Sequence, residues 1–167
     1  MTRVRYRLCQ LWRALLPQSR LPTEEQLRAY LLPEQVALFR RMQPSEQAHA
    51  FAVFERLRRS GQRDADLLTA ALLHDVGKSL VPLTPWEKAI VVLAKRFFPN
   101  RWINWARSEA KGWRRAFVVA LRHPSWGADL AEAAGVSPRA CDLIRRHQES
   151  SSTDDLLRLL QQADEAE

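Results

Sequence analysis

The stretch DADLLTAALLHDVGK, residues 64–78, restricts the fold more than any other part of the chain. It is a helix-forming sequence, and Leu67, Leu68, Ala71 and Leu72 give it a broad apolar side. A helix of that kind has to be covered over much of its circumference, and helical neighbours are the simplest cover. Asp64 is placed to cap its start, and Gly77 reads as a stop just past its end. The stretch also carries His74-Asp75 at its tip, where two polar groups on a deeply buried element need partners.

The remainder of the chain supports the same class. Ala, Leu, Arg, Glu and Gln dominate, strict alternation is absent, and Pro and Gly punctuate the sequence at helical intervals. Thr23 with Glu24 and Glu25 predicts a helix start, as do Pro33 (helix 34–42), Ser45 (46–60) and Thr84-Pro85 (85–98). Residues 101–122 are predicted as one or two helices divided near Gly112. Pro124 then restarts the chain for 124–134, Ser137-Pro138 opens 138–147, and Ser152-Thr153-Asp154-Asp155 opens 153–165 as a capping box. The expected fold is all-α and single-domain: a basic amphipathic helix within 1–20, then a helical domain over 21–167 that includes an insertion at 81–121.

A length of 167 residues suits one domain, and a hydrophobic fraction of 46% excludes wholesale disorder. Cys9 and Cys141 make neither a disulfide framework nor a zinc pattern. No apolar run approaches the roughly 20 residues of a membrane span. The opening MTRVRYRLCQLWRALLP is broken by Arg13 and lacks a small-residue cleavage site, so it is not read as a signal peptide. The expected setting is reducing and cytoplasmic, with a membrane-peripheral location as the open alternative.

The net charge of +7 is uneven. Residues 1–20 carry five arginines and no acid, and residues 84–122 carry nine Lys/Arg against Glu87 and Glu109, which leaves 12 basic and 17 acidic residues elsewhere. Five of the six tryptophans, Trp86, Trp102, Trp105, Trp113 and Trp126, fall between 86 and 126. A basic, aromatic stretch of this kind suits peripheral contact with an anionic membrane, a lid over a phosphate site, or plain packing with charged tips in water. Nucleic acid is the least favoured partner, because only charge points to it.

The four histidines are His49, His74, His123 and His147. Taken singly, His49 between two alanines reads as a core residue, His123 before Pro124 as a cap, and His147 as part of a basic face. Together with Asp75 and Asp164 they make the ordered set His…His-Asp…Asp, with His74-Asp75 inside ALLHDVGK and Asp164 inside LLQQADE. This resembles the HD-domain superfamily of metal-dependent phosphohydrolases over residues 46–165. His123-Pro124-Ser125-Trp126-Gly127-Ala128 further resembles the HPxxGA segment of the HD-GYP and related branches.

The resemblance implies a helical bundle in which His49, His74, Asp75 and Asp164 hold one divalent transition metal, iron, manganese or zinc. Asp75 would bridge to a second metal held by His123 and His147. It implies hydrolysis of a phosphomonoester or phosphodiester of a small molecule, a nucleotide being the leading candidate, by metal-activated hydroxide. Asp75 and Lys78 are the catalytic candidates, with Lys78, Arg145 and Arg146 as phosphate-binding residues; a solvated lysine past a helix end is the alternative reading of Lys78. The chain departs from HD-GYP phosphodiesterases in having Gln148 after His147 and no GYP, which argues against cyclic-di-GMP hydrolysis and a trimetal site. The competing class is a non-catalytic module that binds nucleotide or metal while its basic helices recruit a membrane or partner. Oligomeric state is not legible.

Overall fold

Every regular element in the computed structural model, which describes residues 21–99, 101–150 and 152–167, is helical. In chain order these are α1 (Glu24–Arg28), α2 (Pro33–Arg40), α3 (Pro44–Arg59), α4 (Ala65–Leu73), α5 (Pro85–Phe97), α6 (Trp102–Ala106), α7 (Arg115–Ala133), α8 (Pro138–Arg146) and α9 (Asp155–Ala166). Short 3₁₀ turns follow α4 (Val76–Leu80) and precede α7 (Gly112–Arg114). The all-α expectation holds. The helix expected within residues 1–20 lies outside the described residues. Among the described residues no helix is long and apolar enough to cross a membrane.

The described residues divide into two compact units, one formed by 21–79 with 123–167 and the other by 80–122. In the first, α4 is the central element. Leu67, Ala70, Ala71, Leu72 and Leu73 are fully buried, and α4 packs against α3, α8 and α9. Asp64 starts it as predicted, accepting a hydrogen bond from the Leu67 amide (2.8 Å). Phe54, Leu57, Leu143, Ile144, Leu157 and Leu160 complete the core around it, each worth about 1.5–3 kcal/mol of burial as a fully buried large apolar side chain.

The second unit has an aromatic centre. Trp105 lies 5.3 Å from Phe117, 5.6 Å from Trp113 and 6.1 Å from Phe98, centroid to centroid. Thr84 opens α5 with a capping box: its hydroxyl accepts from the Glu87 amide, and Glu87 accepts from the Thr84 amide at 2.8 Å. Arg115 then grips the Glu87 carboxylate with two N–H groups at 2.5 and 2.9 Å, pinning the start of α5 to the start of α7. This guanidinium, with the Thr84 hydrogen bonds, depresses the Glu87 carboxyl to about 2.

Four sequence expectations need correction. Pro124 does not restart a helix; it lies inside α7. A mid-helix proline forfeits a hydrogen bond and costs about 3 kcal/mol, but α7 buries Phe117, Val118 and Val119 before it and Ala128 and Ala131 after it, so packing on each side outweighs the break. Ser45 does not cap α3, because Pro44 takes the first helical position and Gln43 the cap, with the Gln43 amide donating to Glu46 (3.2 Å). The helix ends at Leu73 with His74 as its C-cap, so Gly77 sits within the following turn and is no stop signal.

The last correction concerns α9, whose cap is Asp154 and not the preceding Ser152-Thr153 pair. Asp154 accepts from the Leu156 and Leu157 amides while Arg139 donates to both its oxygens at 2.7 Å, which together depress its carboxyl to about 2. Asp154→Ala is expected to cost about 1 kcal/mol, the usual value of an N-cap. With the folded value below the unfolded one, the contribution is complete above about pH 4 and is lost as pH falls towards 2. Denaturant titrations of both proteins at pH 7 and near pH 3 should show the gap narrowing at the lower pH.

Candidate metal centre

His74 and His147 are both helix C-caps, of α4 and α8 respectively. At that position the carbonyl three residues back has lost its helical partner. Each imidazole uses it: His74 Nδ1 donates to Ala71 O (2.9 Å) and His147 Nδ1 donates to Ile144 O (2.7 Å). The Nδ1 position is thereby committed to the helix end, and Nε2 points away from it. Both Nε2 atoms are buried and, among the described residues, neither has a hydrogen-bond partner. Two buried imidazole nitrogens left open in one place are a costly arrangement unless something binds there.

The other four side chains converge on the same region. His49 comes from α3, Asp164 from the last turn of α9, His123 from α7 one residue before Pro124, and Asp75 from the turn after α4. His49 Nε2 lies 2.7 Å from Asp164 Oδ1, which is 3.5 Å from His74 Nε2. Asp75 faces two ways, with Oδ2 at 3.6 Å from His74 Nε2 and Oδ1 at 3.4 Å from His123 Nε2. The His147 ring lies 5.2 Å from the rings of both His74 and His123. The six residues form two triads, His49–His74–Asp164 and Asp75–His123–His147, each with ligand atoms within 4.8 Å of one another.

Electrostatics favour a cation here. Burial opposes ionisation of Asp75, but Lys78, His74 and His123 together hold its carboxyl well below the usual range. Asp164 is likewise held low against burial by His74 and His49. Burial would lower His74, yet the Asp75 and Asp164 carboxylates overcome it and lift this group to about 9. His147 goes the other way: burial, reinforced by His74 and His123, drops it to about 3, so it is a neutral imidazole at any physiological pH.

The residues fit divalent transition metals. Ligand atoms about 2.0–2.2 Å from a shared tetrahedral ion lie about 3.3–3.6 Å apart, so triads already within 4.8 Å need shifts of no more than about an ångström. Imidazole with carboxylate suits iron, manganese and zinc, and three protein ligands leave positions open for water or substrate.

The cationic candidates separate. Lys78 Nζ sits 2.6 Å from Asp75 Oδ2, beside the triads, and that carboxylate raises its pKa against the effect of burial. Arg145 pairs with Asp129 (2.8 Å), and Arg146 with Asp142 (3.0 Å) and Glu149 (3.1 Å) at the surface. Two residues escaped the sequence reading. Gln148 Nε2 lies 3.4 Å from His123 Nε2, and Gln161 Nε2 donates to His147 O (3.1 Å). Neither carries a local signal beyond Gln148 following His147 and Gln161 lying inside the LLQQADE segment.

A glycine pair sets how closely these elements approach. A Cβ on Gly77 would stand 2.0 Å from His123 O and 2.7 Å from the Gly127 nitrogen, whereas one on Gly127 would meet its nearest neighbour at 3.2 Å. Gly77 is required because the turn after Asp75 runs directly against the backbone of α7 at His123.

Comparison with known protein families matches residues 47–167 to the HD domain. No curated protein and no solved structure matched the chain. The match covers well over half the sequence and takes in all six converging residues, so the chain belongs to the HD-domain superfamily of metal-dependent phosphohydrolases.

Proposed function

We propose that this protein is a dinuclear hydrolase of phosphomonoesters or phosphodiesters, with a nucleotide as the substrate class its family resemblance favours. One observation carries the dinuclear reading: the Asp75 carboxylate presents one oxygen to each triad, the disposition of a bridging ligand. Divalent cations held by the triads would supply Lewis acidity towards phosphate oxygens and lower the pKa of a water, which none of these side chains does alone. Asp75 and Asp164 provide fixed negative charge, and His74 and His147 offer Nε2 in an orientation already set by their helix ends. Lys78, on a flexible stem beside Asp75, is positioned to exchange that carboxylate for a substrate phosphate oxygen. Two cysteines without a disulfide pattern support a cytoplasmic setting.

Elemental mass spectrometry on protein purified without chelators or a histidine tag tests this reading. About two equivalents of iron, manganese or zinc are expected, falling to about one in His123→Ala. Hydrolysis of bis(p-nitrophenyl) phosphate with added manganese should fall in parallel. A single equivalent insensitive to His123→Ala would instead indicate a mononuclear site, and no metal even after manganese or iron is added back would indicate a non-catalytic module.

A further inference from the structure

Helix α5 is apolar on two faces, and packing explains only one of them. Val91 and Ala94 are buried. Trp86, Ile90, Leu93 and Phe97, spaced four, three and four residues apart, share a different face. That second face is exposed: Trp86 at 81%, Ile90 at 50%, Leu93 at 53% and Phe97 at 66%. Four large apolar side chains lined up in water on one helix mark an interaction surface.

We propose that this face docks the protein peripherally on an anionic lipid bilayer. Charge selects that occupant. Residues 84–122 carry nine Lys/Arg against Glu87 and Glu109, and both acids are engaged within the unit, Glu87 by Arg115 and Glu109 by Lys111 at 2.7 Å. A second copy would set this cationic unit against itself. Residues 1–20, with five arginines and no acid, share the preference for an anionic surface. A nucleic acid would use the cations but has no use for Ile90, Leu93 and Phe97.

The same unit also pairs indoles with cations. Lys95 lies over the Trp102 ring at 4.7 Å and Arg114 over the Trp113 ring at 5.2 Å, with Trp113 itself largely exposed. Indoles paired with cations in the unit that carries the stripe suit the membrane interface, where rings sit at headgroup depth and cations meet lipid phosphate. Each basic residue near an anionic surface strengthens binding about fivefold.

The test is co-sedimentation of the full chain with vesicles of equal parts phosphatidylglycerol and phosphatidylcholine, and with phosphatidylcholine alone. Binding is expected on the mixed vesicles and at least about tenfold weaker on the neutral ones, with partial release at high salt. Ile90→Asp/Leu93→Asp places charges at exposed positions, and should weaken binding at least about tenfold while far-UV circular dichroism and phosphodiester hydrolysis stay unchanged. The proposal is overturned if the wild type ignores the mixed vesicles or if the double variant binds them as tightly. It is equally overturned if the double variant instead abolishes a dimer seen by sedimentation, or duplex binding at physiological salt, with vesicle binding unaltered.

Discussion

Asp75→Asn is expected to abolish phosphoester hydrolysis while the helical fold survives. The amide keeps the shape of the carboxylate and can still accept a hydrogen bond from Lys78, but it has no charge to share between the two triads. Removing an outer partner of a metal ligand already costs 10–100-fold, so losing the ligand common to both triads should exceed about 100-fold. His74→Ala should do the same, since His74 Nε2 faces both Asp164 and Asp75. Asp75→Ala differs in stability. It leaves the half-buried Lys78 ammonium without its 2.6 Å partner, a cost of roughly 1–3 kcal/mol. Rates on bis(p-nitrophenyl) phosphate with manganese, urea titrations and far-UV circular dichroism separate the three variants. Full activity in either Asp75→Asn or His74→Ala would remove this site as the catalytic one.

Gly77→Ala is the second substitution expected to have a large effect, although alanine is otherwise the mildest of changes. The added methyl would overlap His123 O at 2.0 Å and the Gly127 nitrogen at 2.7 Å. Both are main-chain atoms, so no side chain can swing aside; either the turn or helix α7 must move. Overpacking of that severity costs about 3 kcal/mol, or a fall in Tm of roughly 6–12 °C at this chain length. Gly127→Ala, with its nearest contact at 3.2 Å, should cost clearly less. Because the displaced backbone is that of His123, Gly77→Ala should also lose one metal equivalent at temperatures where it remains folded. Equal melting temperatures for the wild type and Gly77→Ala would refute this account of the glycine.

Much of this architecture was legible because helix ends have local chemistry. Asp64, Thr84 and Ser137 cap the helices they were expected to cap, each bonding an amide within its own first turn. Two of the exceptions share a cause: a local signal was overruled by distant packing. Pro124 reads as a break, yet the buried residues of α7 on either side of it hold the helix through it. Gly77 reads as a terminator, but it is glycine because α7, some 46 positions away, leaves no room for a methyl group. Gln148 approaches His123 across 25 residues, and no pattern around either one announces the pairing. The six converging residues were recognisable as a set through family resemblance. Their division into triads, with Asp75 facing both, depends on the path of five separate elements.

The hydrogen bonds that orient His74 and His147 end on the carbonyls of Ala71 and Ile144. Main-chain oxygens are the same whatever side chain the residue carries. Substitution at position 71 or 144 can disturb packing, but it cannot delete the acceptor, as replacing an orienting aspartate would. For the orientation of these two imidazoles, mutational tolerance is therefore built in. Their orientation persists as long as α4 and α8 end where they do.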